Sequence, residues 1–438
     1  MFVTRLFQSK IFRAFENSFI TLLLGPRRVG KSYLVAQYFK EHPQNHLVSL
    51  NLDSLELRLA LESGNLESVL ENRLGKKLGE LSTKLWLVVD EAQKSGALFD
   101  QVKLLYDRFK DSGRFKCILT GSGSLSLMEA SAESLGGRVF SYELLPFVLE
   151  ESFRLRNGEQ EIARPFSELI LGSDPKKIEE CVLSLQPKQN LLQDCMREQW
   201  VWGGFPEVLQ SKDSEERKIY LSNYRQTYLE KDIRSLEQVG DLKKFNQLLE
   251  LLAFQVGSLR QDKKVYDALG ISPQTLAKYL SILEATFLYY ELPPFIRTPF
   301  KRIFKANKSY LVDNGLLSYL RGIYQLDLLQ GSDAIGAWFE NWTIGSVKSI
   351  LNSHFSDPRV YFWKTTGHVE VDLILEFENH VIPIEIKYSQ KPDRKKTKHL
   401  KSFLREENRA KFGMIIYNGP YQYDSEERIL YFPAWLLL

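Results

Sequence analysis

The apolar positions of residues 1–150 fall into short runs separated by amphipathic helical stretches. Five runs of strand length are apolar on both faces: residues 19–25, 46–52, 84–90, 115–121 and 138–144. Runs of this kind are typical of parallel strands covered by helices. The leading MFVTRLFQSKIFRAF is basic and amphipathic, which predicts a helix packed on this region. The first 150 residues are therefore predicted to form an α/β domain with a mostly parallel sheet.

The pattern changes after residue 150. Residues 151–250 are charged and helical in pattern, with a break at GGFPE (203–207). Next, KKVYDALGISPQTLAKYLSILEA predicts two helices joined by a tight turn at residues 270–272, with Ser272 as the N-cap of the second helix. Two strand-like runs, ATFLYYEL and RIFKANKSYLVD, follow. This order is typical of a winged helix-turn-helix that contacts DNA. A small helical packing domain, or a winged helix that contacts only protein, is the alternative.

The last part of the chain, from about residue 331, predicts a second α/β unit with its own core. AIGAWFENWTIGSVKSIL has a helical pattern and is followed by the strand-like runs RVYFWKT, VEVDLILEF and HVIPIEIKYS. The helical TKHLKSFLREEN comes next, before the strand-like KFGMIIYN and RILYFPAWLLL. The predicted order is thus one helix, three strands, a second helix and two strands.

Composition adds few constraints. The chain has 438 residues, 44% hydrophobic and 26% charged, which is too long for one core and ordinary for a soluble protein. The net charge of +3 neither indicates nor excludes nucleic acid, so any basic surface is local, as at residues 27–31, 298–308 and 395–401. The three cysteines show neither disulfide nor zinc spacing, and no apolar run approaches the roughly 18 residues of a membrane span. These features predict a cytoplasmic protein without a membrane partner.

A phosphate-binding loop is the strongest chemical signal. GPRRVGKS (25–32) fits G-x-x-x-x-G-K-[ST] between an apolar strand and a helix. The glycines let the backbone wrap phosphates at the helix N-terminus, Lys31 neutralises the β- and γ-phosphates, and Ser32 ligates Mg²⁺. The predicted nucleotide-binding residues are Gly25, Pro26, Arg27, Arg28, Val29, Gly30, Lys31, Ser32, Tyr33, Asp90, Thr120 and Ser122.

Three later segments complete the predicted ATP site. In LWLVVDEAQK (85–94), a strand leads to Asp90, which is placed to hold Mg²⁺ through water, and Glu91 orients or deprotonates the attacking water. Thr120 and Ser122 end another strand, where a polar side chain senses the γ-phosphate. Arg138 follows two glycines and suits stabilisation of phosphoryl charge, in its own chain or in a neighbour. A surface salt bridge is the structural alternative for Arg138.

VEVDLILEFENHVIPIEIKYS (369–389) predicts a hairpin with charges in unusual places. Alternate strand residues share a face, so Glu385 and Lys387 lie together, and an antiparallel pairing with a turn at 377–379 brings Asp372 to the same face. Asp-x₁₂-Glu-x-Lys is the pattern of PD-(D/E)xK nucleases, in which two carboxylates hold Mg²⁺ and the lysine positions water or stabilises phosphorane charge. The cross-strand register is not readable from the sequence.

Glu340, in the preceding helix, is placed to add a third carboxylate. The predicted metal ligands of this second site are therefore Glu340, Asp372 and Glu385, for Mg²⁺ or Mn²⁺, with Lys387 as the catalytic group. An unpaired buried carboxylate is costly, so a salt bridge from Lys387 to Glu385 is the structural alternative. In that case the domain binds nucleic acid, or regulates the first domain, without cleaving.

Taken over nearly its whole length, the chain resembles the bacterial and archaeal AAA-type P-loop ATPases with a C-terminal PD-(D/E)xK nuclease-like domain, formerly catalogued as of unknown function. The resemblance rests on GPRRVGKS, VVDEAQK, LTGSGSL, SLGGRVFSYEL-PF, GGFPE, YLEKDI, LGISPQTLAKYLSILEATFLYYELPPF, SYLVDNGLL and DLIL…PIEIKYS. It implies that the N-terminal domain binds and hydrolyses ATP, and that a winged helix separates it from a nuclease-like fold. Gly136 stands where alanine is commoner, and Lys231 where the family often has arginine.

The predicted architecture is α/β in four parts. They are a P-loop ATPase domain (1–150), a helical lid or linker (151–245), a winged-helix-like domain (246–310) and a nuclease-like domain (311–438). The expected function is Mg²⁺-dependent ATP hydrolysis that controls a DNA-acting domain. The alternatives are an ATP-driven switch for a protein partner and a DNA-binding regulator with a non-cleaving fold. Candidate partners are ATP, DNA, a protein and further copies of the chain.

Overall fold

The computed structural model describes residues 3–123, 134–227, 240–296, 305–365, 369–391 and 397–438. The motif YLEKDI, with Lys231, lies outside these ranges, and the basic runs at 298–308 and 395–401 lie partly outside them. The chain divides into two compact units. One contains residues 7–145 and 282–287, and the other contains residues 1–6, 146–281 and 288–438.

The unit that contains residues 7–145 is built on a parallel sheet. Its strands are β1 (Ile20–Leu24), β2 (His46–Asn51), β3 (Leu85–Asp90), β4 (Phe115–Gly121) and β5 (Val139–Glu143). Its helices are α1 (Gln8–Glu16), α2 (Lys31–Glu41), α3 (Leu55–Glu62), α4 (Leu66–Leu74) and α5 (Ala97–Phe109). The strand order is β2-β3-β4-β1-β5, and every pairing is parallel. All five predicted strands and the α/β class are confirmed.

Burial follows the position of each strand in this sheet. β1 and β4 are buried along their whole length, as the two-sided apolar runs predicted, whereas the edge strand β2 alternates buried and exposed residues. The predicted N-terminal helix begins at Gln8 and buries Ile11, Ala14 and Phe15. Because the strands are parallel, their carboxyl ends share one edge of the sheet, and the loops after β1, β3 and β4 emerge there together.

Helices dominate the chain from residue 146 to about 330. They are α6 (Leu149–Asn157), α7 (Pro165–Ile170), α8 (Ile178–Leu185), α9 (Gln189–Trp202), α10 (Pro206–Gln210), α11 (Ser214–Thr227), α12 (Leu242–Phe254), α13 (Asp262–Leu269), α14 (Pro273–Ala285), α15 (Asn314–Arg321) and α16 (Leu326–Gln330). Between α14 and α15 lie the antiparallel strands β6 (Tyr289–Leu292) and β7 (Lys308–Leu311). The Ser272 hydroxyl accepts a hydrogen bond from the Thr275 backbone N–H at 3.1 Å, which confirms the predicted N-cap of α14. Two helices joined by a tight turn, and then two antiparallel strands, are therefore observed in the predicted order, and the winged helix stays a prediction.

The C-terminal part is a mixed six-stranded sheet with two helices. Its elements are α17 (Ile335–His354), β8 (Arg359–Lys364), β9 (Glu370–Glu376), β10 (Val381–Ile386), α18 (Thr397–Glu406), β11 (Gly413–Tyr417), β12 (Gln422–Asp424) and β13 (Ile429–Pro433). The strand order is β12-β13-β11-β10-β9-β8. The predicted order is confirmed, although β12 was not predicted and residues 434–436 form a 3₁₀ turn instead of extending the last strand.

Two motifs that carry no predicted chemistry, GGFPE and SYLVDNGLL, pack against each other. The buried carboxylate of Asp313 accepts hydrogen bonds from the backbone N–H of Gly204 at 2.7 Å and of Leu316 at 3.1 Å, and so caps α15. A Cβ added at Gly203 would lie 2.2 Å from Asp313 Oδ1, and the φ of Gly203 is +72°. Glycine is therefore required for this approach, which explains both motifs structurally.

Asp313 predicts a measurable pH dependence of stability. Burial raises its pKa from 3.8 to about 6, although the N–H groups of Gly204, Leu316 and Gly315 oppose the shift. Between these two values the folded chain holds a proton that the unfolded chain has lost. The stabilisation is therefore complete below about pH 4 and is lost as the pH rises through about 6. Asp313→Asn should make the free energy of unfolding depend less on pH between pH 4 and 6, as measured by urea denaturation. If Asp313→Asn leaves the slope of this free energy against pH unchanged, other groups cause the pH dependence.

Candidate functional site

The phosphate-binding loop lies at the carboxyl edge of the parallel sheet, between the end of β1 and the start of α2. Gly25 has a φ of +145° and Gly30 a φ of +95°, values that favour glycine. A Cβ added at Gly25 would lie 2.0 Å from the carbonyl oxygen of Leu144. Gly25 is therefore required by its positive φ and by the close approach of Leu144, and Gly30 by its positive φ. It leads into the N-terminus of α2, where backbone N–H groups favour an anion.

Lys31, the first residue of α2, is buried and bound within the loop. Its ammonium group donates hydrogen bonds to the carbonyl oxygens of Gly25 and Pro26, both at 2.8 Å. A phosphate in the loop would offer charged acceptors, which bind an ammonium more strongly than neutral carbonyls do. The other predicted loop residues are Arg27, Arg28 (φ +62°), the buried Val29 and Tyr33, whose side chain is largely exposed on α2.

The structure brings together the side chains predicted to hold Mg²⁺. Ser32 Oγ donates to Asp90 Oδ2 at 2.8 Å, and the Thr120 hydroxyl donates to the other carboxylate oxygen of Asp90. These three residues come from α2, β3 and β4. Their side chains meet because β3 lies next to β4, and β4 lies next to β1, which leads into α2. A hydroxyl and a carboxylate beside a phosphate loop are the oxygen ligands that Mg²⁺ uses in nucleotide sites, so the residues present fit this ion.

Glu91 is held in position next to this group. Its φ of +55° is uncommon for a residue other than glycine, a kind of backbone strain found at functional sites. Glu91 Oε2 accepts hydrogen bonds from Gln93 and, at 3.2 Å, from the Ser122 hydroxyl, while Arg27 Nη2 lies 4.0 Å away. Gln93 also donates to Ser122 Oγ at 3.0 Å. Sequence reasoning missed Gln93, and its only signal was its place two residues after the acidic Glu91.

Arg138 lies at the amino ends of the parallel strands, opposite the phosphate loop at their carboxyl ends. Its carbonyl oxygen accepts the backbone N–H of Ile20 at the start of β1, whereas the phosphate loop follows Leu24 at the end of that strand. The separation from Gly25 is about 20 Å, six residues at about 3.3 Å each. The Arg138 guanidinium binds both carboxylate oxygens of Asp107, at 2.8 and 3.0 Å. The structure therefore does not bring Arg138 to the nucleotide site of its own chain, and the salt bridge named as its alternative is present.

The C-terminal sheet brings Asp372, Glu385 and Lys387 together. β9 and β10 pair antiparallel up to Leu373 opposite Ile384, and Asp372 and Glu385 are the neighbouring residues of these two strands. Lys387 Nζ lies 3.0 Å from Asp372 Oδ2 and 2.9 Å from Glu385 Oε1. The structure thus supplies the register that the sequence lacked. It also contains the ion pair between Lys387 and Glu385 that was the structural alternative to catalysis.

A second lysine, which sequence reasoning missed, enters this cluster from β7. Lys308 is 2% exposed, and its Nζ lies 2.7 Å from Glu370 Oε1, 3.3 Å from Glu340 Oε1 and 3.6 Å from Asp372 Oδ1. The Tyr310 hydroxyl, from the same face of β7, donates to Glu340 Oε1 at 2.6 Å. Glu340 therefore lies in the same cluster as Asp372 and Glu385, and ammonium groups lie among these carboxylates. We call Glu340, Glu370, Asp372, Glu385, Lys308 and Lys387 the acid–lysine cluster.

The predicted ligands of a second metal have suitable oxygen donors, but they are paired with lysines. Within the described ranges, no group of three or more His, Cys, Asp or Glu side chains is arranged to hold a metal ion. The set Glu340, Asp372 and Glu385 therefore stays a prediction. Among the described residues, nothing donates a hydrogen bond to the buried Oε2 of Glu385, so the cluster retains one unused acceptor.

Burial and nearby charges give the carboxyl groups of the acid–lysine cluster different pKa values. Burial raises the pKa of Glu385 to about 8, and the charge of Asp372 adds to the shift. Burial also acts to raise the pKa of Asp372, but Lys387 and Lys308 outweigh it, so that pKa lies below its usual value. Lys364 contacts Glu370 Oε2 at 2.6 Å. Three lysines thus face four carboxyl groups, so the carboxyl groups outnumber the ammonium groups by one.

Removing Lys308 should be strongly destabilising. Lys308→Met leaves three carboxylates without their shared ammonium, and breaking a buried ion pair from one side costs about 3–5 kcal/mol. Adding Glu340→Gln should restore part of the loss, because one uncompensated charge is removed. Chemical denaturation at pH 8 measures both effects. Lys364→Met is the matched control: this lysine touches the same Glu370 from a partly exposed position, so we expect a loss of about 1 kcal/mol or less. Equal losses in the free energy of unfolding for Lys308→Met and Lys364→Met would contradict the role of Lys308 as the shared buried cation.

Comparison with protein families divides the chain into three matched regions. Residues 17–153 match the model of an AAA domain. Residues 193–327 and 335–437 match two domains of unknown function, DUF8612 and DUF4143. The AAA match includes every predicted residue of the nucleotide site, and it supports ATP binding and hydrolysis by the region that carries the parallel sheet. The matches to the other two regions name no activity.

Similar proteins include relatives in several organisms. An uncharacterized protein of Mycobacterium tuberculosis is 24% identical over 427 residues, 97% of this chain and 82% of that protein. One of Haemophilus influenzae is 24% identical over 319 residues, 70% of each chain. Among solved structures, a Walker-type ATPase of Pyrococcus abyssi is 19% identical and covers 72% of this chain and 94% of that one, with a TM-score of 0.44. The ORC1 protein of Aeropyrum pernix, in complex with DNA, is 12% identical over 74% of this chain and 93% of that one, with a TM-score of 0.29.

None of the helices in the described ranges has both the length and the apolar character needed to cross a lipid bilayer.

Proposed function

We propose that the chain hydrolyses ATP with Mg²⁺ and uses the nucleotide cycle to control a nuclease-like C-terminal part. The observation that carries the first half is the meeting of Lys31, Ser32, Asp90 and Glu91 at one edge of the parallel sheet. Lys31 and Ser32 follow the phosphate loop, Asp90 contacts Ser32, and Glu91 is held beside them by Ser122. These are the charge-neutralising, metal-holding and water-orienting groups that phosphoryl transfer needs.

Each residue has one task in this proposal. Lys31 exchanges the carbonyls of Gly25 and Pro26 for the β- and γ-phosphates and so neutralises charge that develops during transfer. Ser32 and Asp90 would hold Mg²⁺, which would supply positive charge to offset that of the phosphates. Thr120 orients the Asp90 carboxylate through its hydrogen bond.

Glu91 acts on the attacking water, either by orienting it or by accepting its proton. Its hydrogen bonds to Gln93 and Ser122 both engage Oε2, so we assign this task to the other carboxylate oxygen, Oε1. Gln93 and Ser122 are therefore positioning residues that hold the Glu91 carboxylate. Arg138, about 20 Å from the loop of its own chain, is assigned to the nucleotide site of a second copy, after it leaves Asp107.

The nuclease-like assignment of residues 311–438 rests on element order and side-chain placement. Helix α17 precedes the antiparallel strands β8, β9 and β10, and α18 and β11 follow. Asp372, Glu385 and Lys387 face one another across β9 and β10, as the Asp-x₁₂-Glu-x-Lys pattern requires. The ion pairs of Lys308 favour the view that the arrangement described above is a closed, non-cleaving one.

A second candidate function is a switch or DNA-binding regulator whose nuclease-like fold never cleaves. Each carboxylate of the acid–lysine cluster contacts a lysine, and this pairing favours the non-cleaving function. The helix-turn-helix and the following hairpin supply the order of a winged helix, and Lys263 and Lys264 of α13 and Lys278 of α14 are exposed. We propose DNA as the partner of this segment in either case.

Incubation with DNA separates the two candidates. Supercoiled and linear DNA are treated with Mg²⁺ or Mn²⁺, with and without ATP, and the wild type is compared with Asp372→Ala and Lys387→Ala. Cleavage that both substitutions abolish supports nucleotide-controlled cutting. Intact DNA, with a gel shift that changes with ATP, supports the regulator. Cleavage that survives both substitutions would exclude the acid–lysine cluster as the site.

A further inference from the structure

Arg27 belongs to the phosphate loop and contacts the carboxylate assigned to the attacking water. Its guanidinium Nη2 lies 4.0 Å from Glu91 Oε2, and the two side chains are 20% and 18% exposed. This distance is too long for a hydrogen bond, so the contact is an electrostatic one that solvent partly screens. The pair is therefore loose, and a more highly charged partner can replace the carboxylate.

The side chains between the two glycines of the loop take different directions. Pro26 and Val29 are buried, and Arg28 is exposed. Arg27 is half-buried and faces Glu91, a residue that follows β3 and is 64 positions away in the chain. The backbone of the loop thus directs the Arg27 guanidinium towards the catalytic carboxylate.

The position of Glu91 identifies the phosphate that Arg27 would meet. In the proposed function Glu91 acts on the water that attacks the γ-phosphate, so a group beside Glu91 lies next to that phosphate. A guanidinium binds phosphate oxygens through two parallel N–H donors, which is a stronger interaction than its contact with a carboxylate 4.0 Å away. Arg138 leaves this position vacant in its own chain, because it lies about 20 Å from the loop.

We propose that Arg27 recognises the γ-phosphate of ATP in its own chain and leaves Glu91 when it does so. This inference rests on the proposed ATP hydrolysis and adds the residue that distinguishes ATP from ADP. With ADP, no γ-phosphate competes for the guanidinium, and Arg27 stays with Glu91. With ATP, the guanidinium moves to the γ-phosphate, and Glu91 keeps its neutral partners Gln93 and Ser122. The nucleotide thus decides which anion Arg27 binds.

The affinities for two nucleotides that differ in the γ-phosphate test the proposal. Isothermal titration calorimetry of the full chain in Mg²⁺ compares ADP with a non-hydrolysable β,γ-imido analogue of ATP. Arg27→Met should bind the analogue about tenfold more weakly than wild type, or weaker still, and ADP within about twofold of wild type. Arg27→Lys should recover part of the preference, because lysine keeps the charge but not the paired donors.

Arg28→Met is the matched control, because it removes the same charge from the next residue of the loop. Any loss of affinity in Arg28→Met should be equal for the two nucleotides, so the preference for the analogue should stay as in wild type. In Arg27→Met, an equal loss for both nucleotides, or no loss, would overturn the proposal. A selective loss of the analogue in Arg28→Met alone would overturn it as well.

Should Arg27→Met fail to fold, as circular dichroism would show, modification of wild-type arginines by phenylglyoxal decides. Mass spectrometry should find Arg27 modified severalfold more slowly in the presence of the analogue than in ADP, and equal rates would overturn the proposal. Neither measurement requires turnover. A wild type that selects the analogue through Arg27 but releases no phosphate from ATP would therefore contradict the proposed hydrolysis and not the role of Arg27.

Discussion

Glu91→Gln should lower the rate of ATP hydrolysis by about 10²–10⁴-fold while ATP binding persists, which is the range that a positioned general base contributes. Glutamine keeps the size of the side chain and can still accept the Ser122 hydroxyl, so the local structure should hold. It can no longer accept a proton from water. Lys31 and Ser32 are untouched, and the substituted protein should therefore retain nucleotide and trap the ATP state.

Phosphate release and binding of a fluorescent ATP analogue measure the two properties separately. Glu56→Gln, at an exposed position of α3, is the matched control and should behave as wild type. Turnover by Glu91→Gln close to the wild-type rate would remove Glu91 from the mechanism. Loss of binding together with turnover would instead indicate that Glu91 supports the loop and not the chemistry.

Arg138→Ala should bind ATP normally and lose turnover by about 10³-fold, the lower range for an arginine that stabilises phosphoryl transfer from a neighbouring molecule. Normal binding is expected because Arg138 is remote from the phosphate loop of its own chain. Asp107→Ala is the informative partner variant. It removes the carboxylate that holds the guanidinium at 2.8 and 3.0 Å, so it should leave turnover at the wild-type level or raise it.

Mixing two inactive variants tests the assignment to a second copy. Lys31→Ala supplies an intact Arg138, and Arg138→Ala supplies an intact phosphate loop. A mixture should regain turnover, because some interfaces combine the two intact halves, whereas each variant alone stays inactive. Turnover that never recovers across all mixing ratios would contradict action between copies. Full activity of Arg138→Ala alone would leave its salt bridge with Asp107 as its whole role.

The sequence predicted the elements well because their signals are local. The central strands β1 and β4 are buried on both sides, so their apolar runs leave no competing interpretation. The phosphate loop has its glycines at positions where the backbone needs positive φ, and such a constraint is readable from spacing alone. The β9–β10 hairpin was predictable for the same reason, since a short polar break separates two apolar runs.

The sequence could not predict contacts that depend on strand order and register. Lys308 precedes Asp372 by 64 positions in the chain, and only the docking of β7 brings its ammonium to the carboxylates. Arg138 was a candidate for the nucleotide of its own chain until the pairing of β5 with β1 placed it at the far edge. Ser122, a partner of Glu91, likewise follows β4, and only the pairing of β4 with β3 brings its hydroxyl to Glu91.

Steady-state phosphate release from ATP by wild type and Lys31→Ala, purified in parallel, shows whether the phosphate loop hydrolyses ATP. The Lys31 ammonium lies within the phosphate loop, and binding phosphate there is the task assigned to it. Wild type should release many phosphates per chain in Mg²⁺ and none above background in excess chelator, and Lys31→Ala should stay at background in both. Equal release by the two proteins would exclude ATP hydrolysis at the phosphate loop.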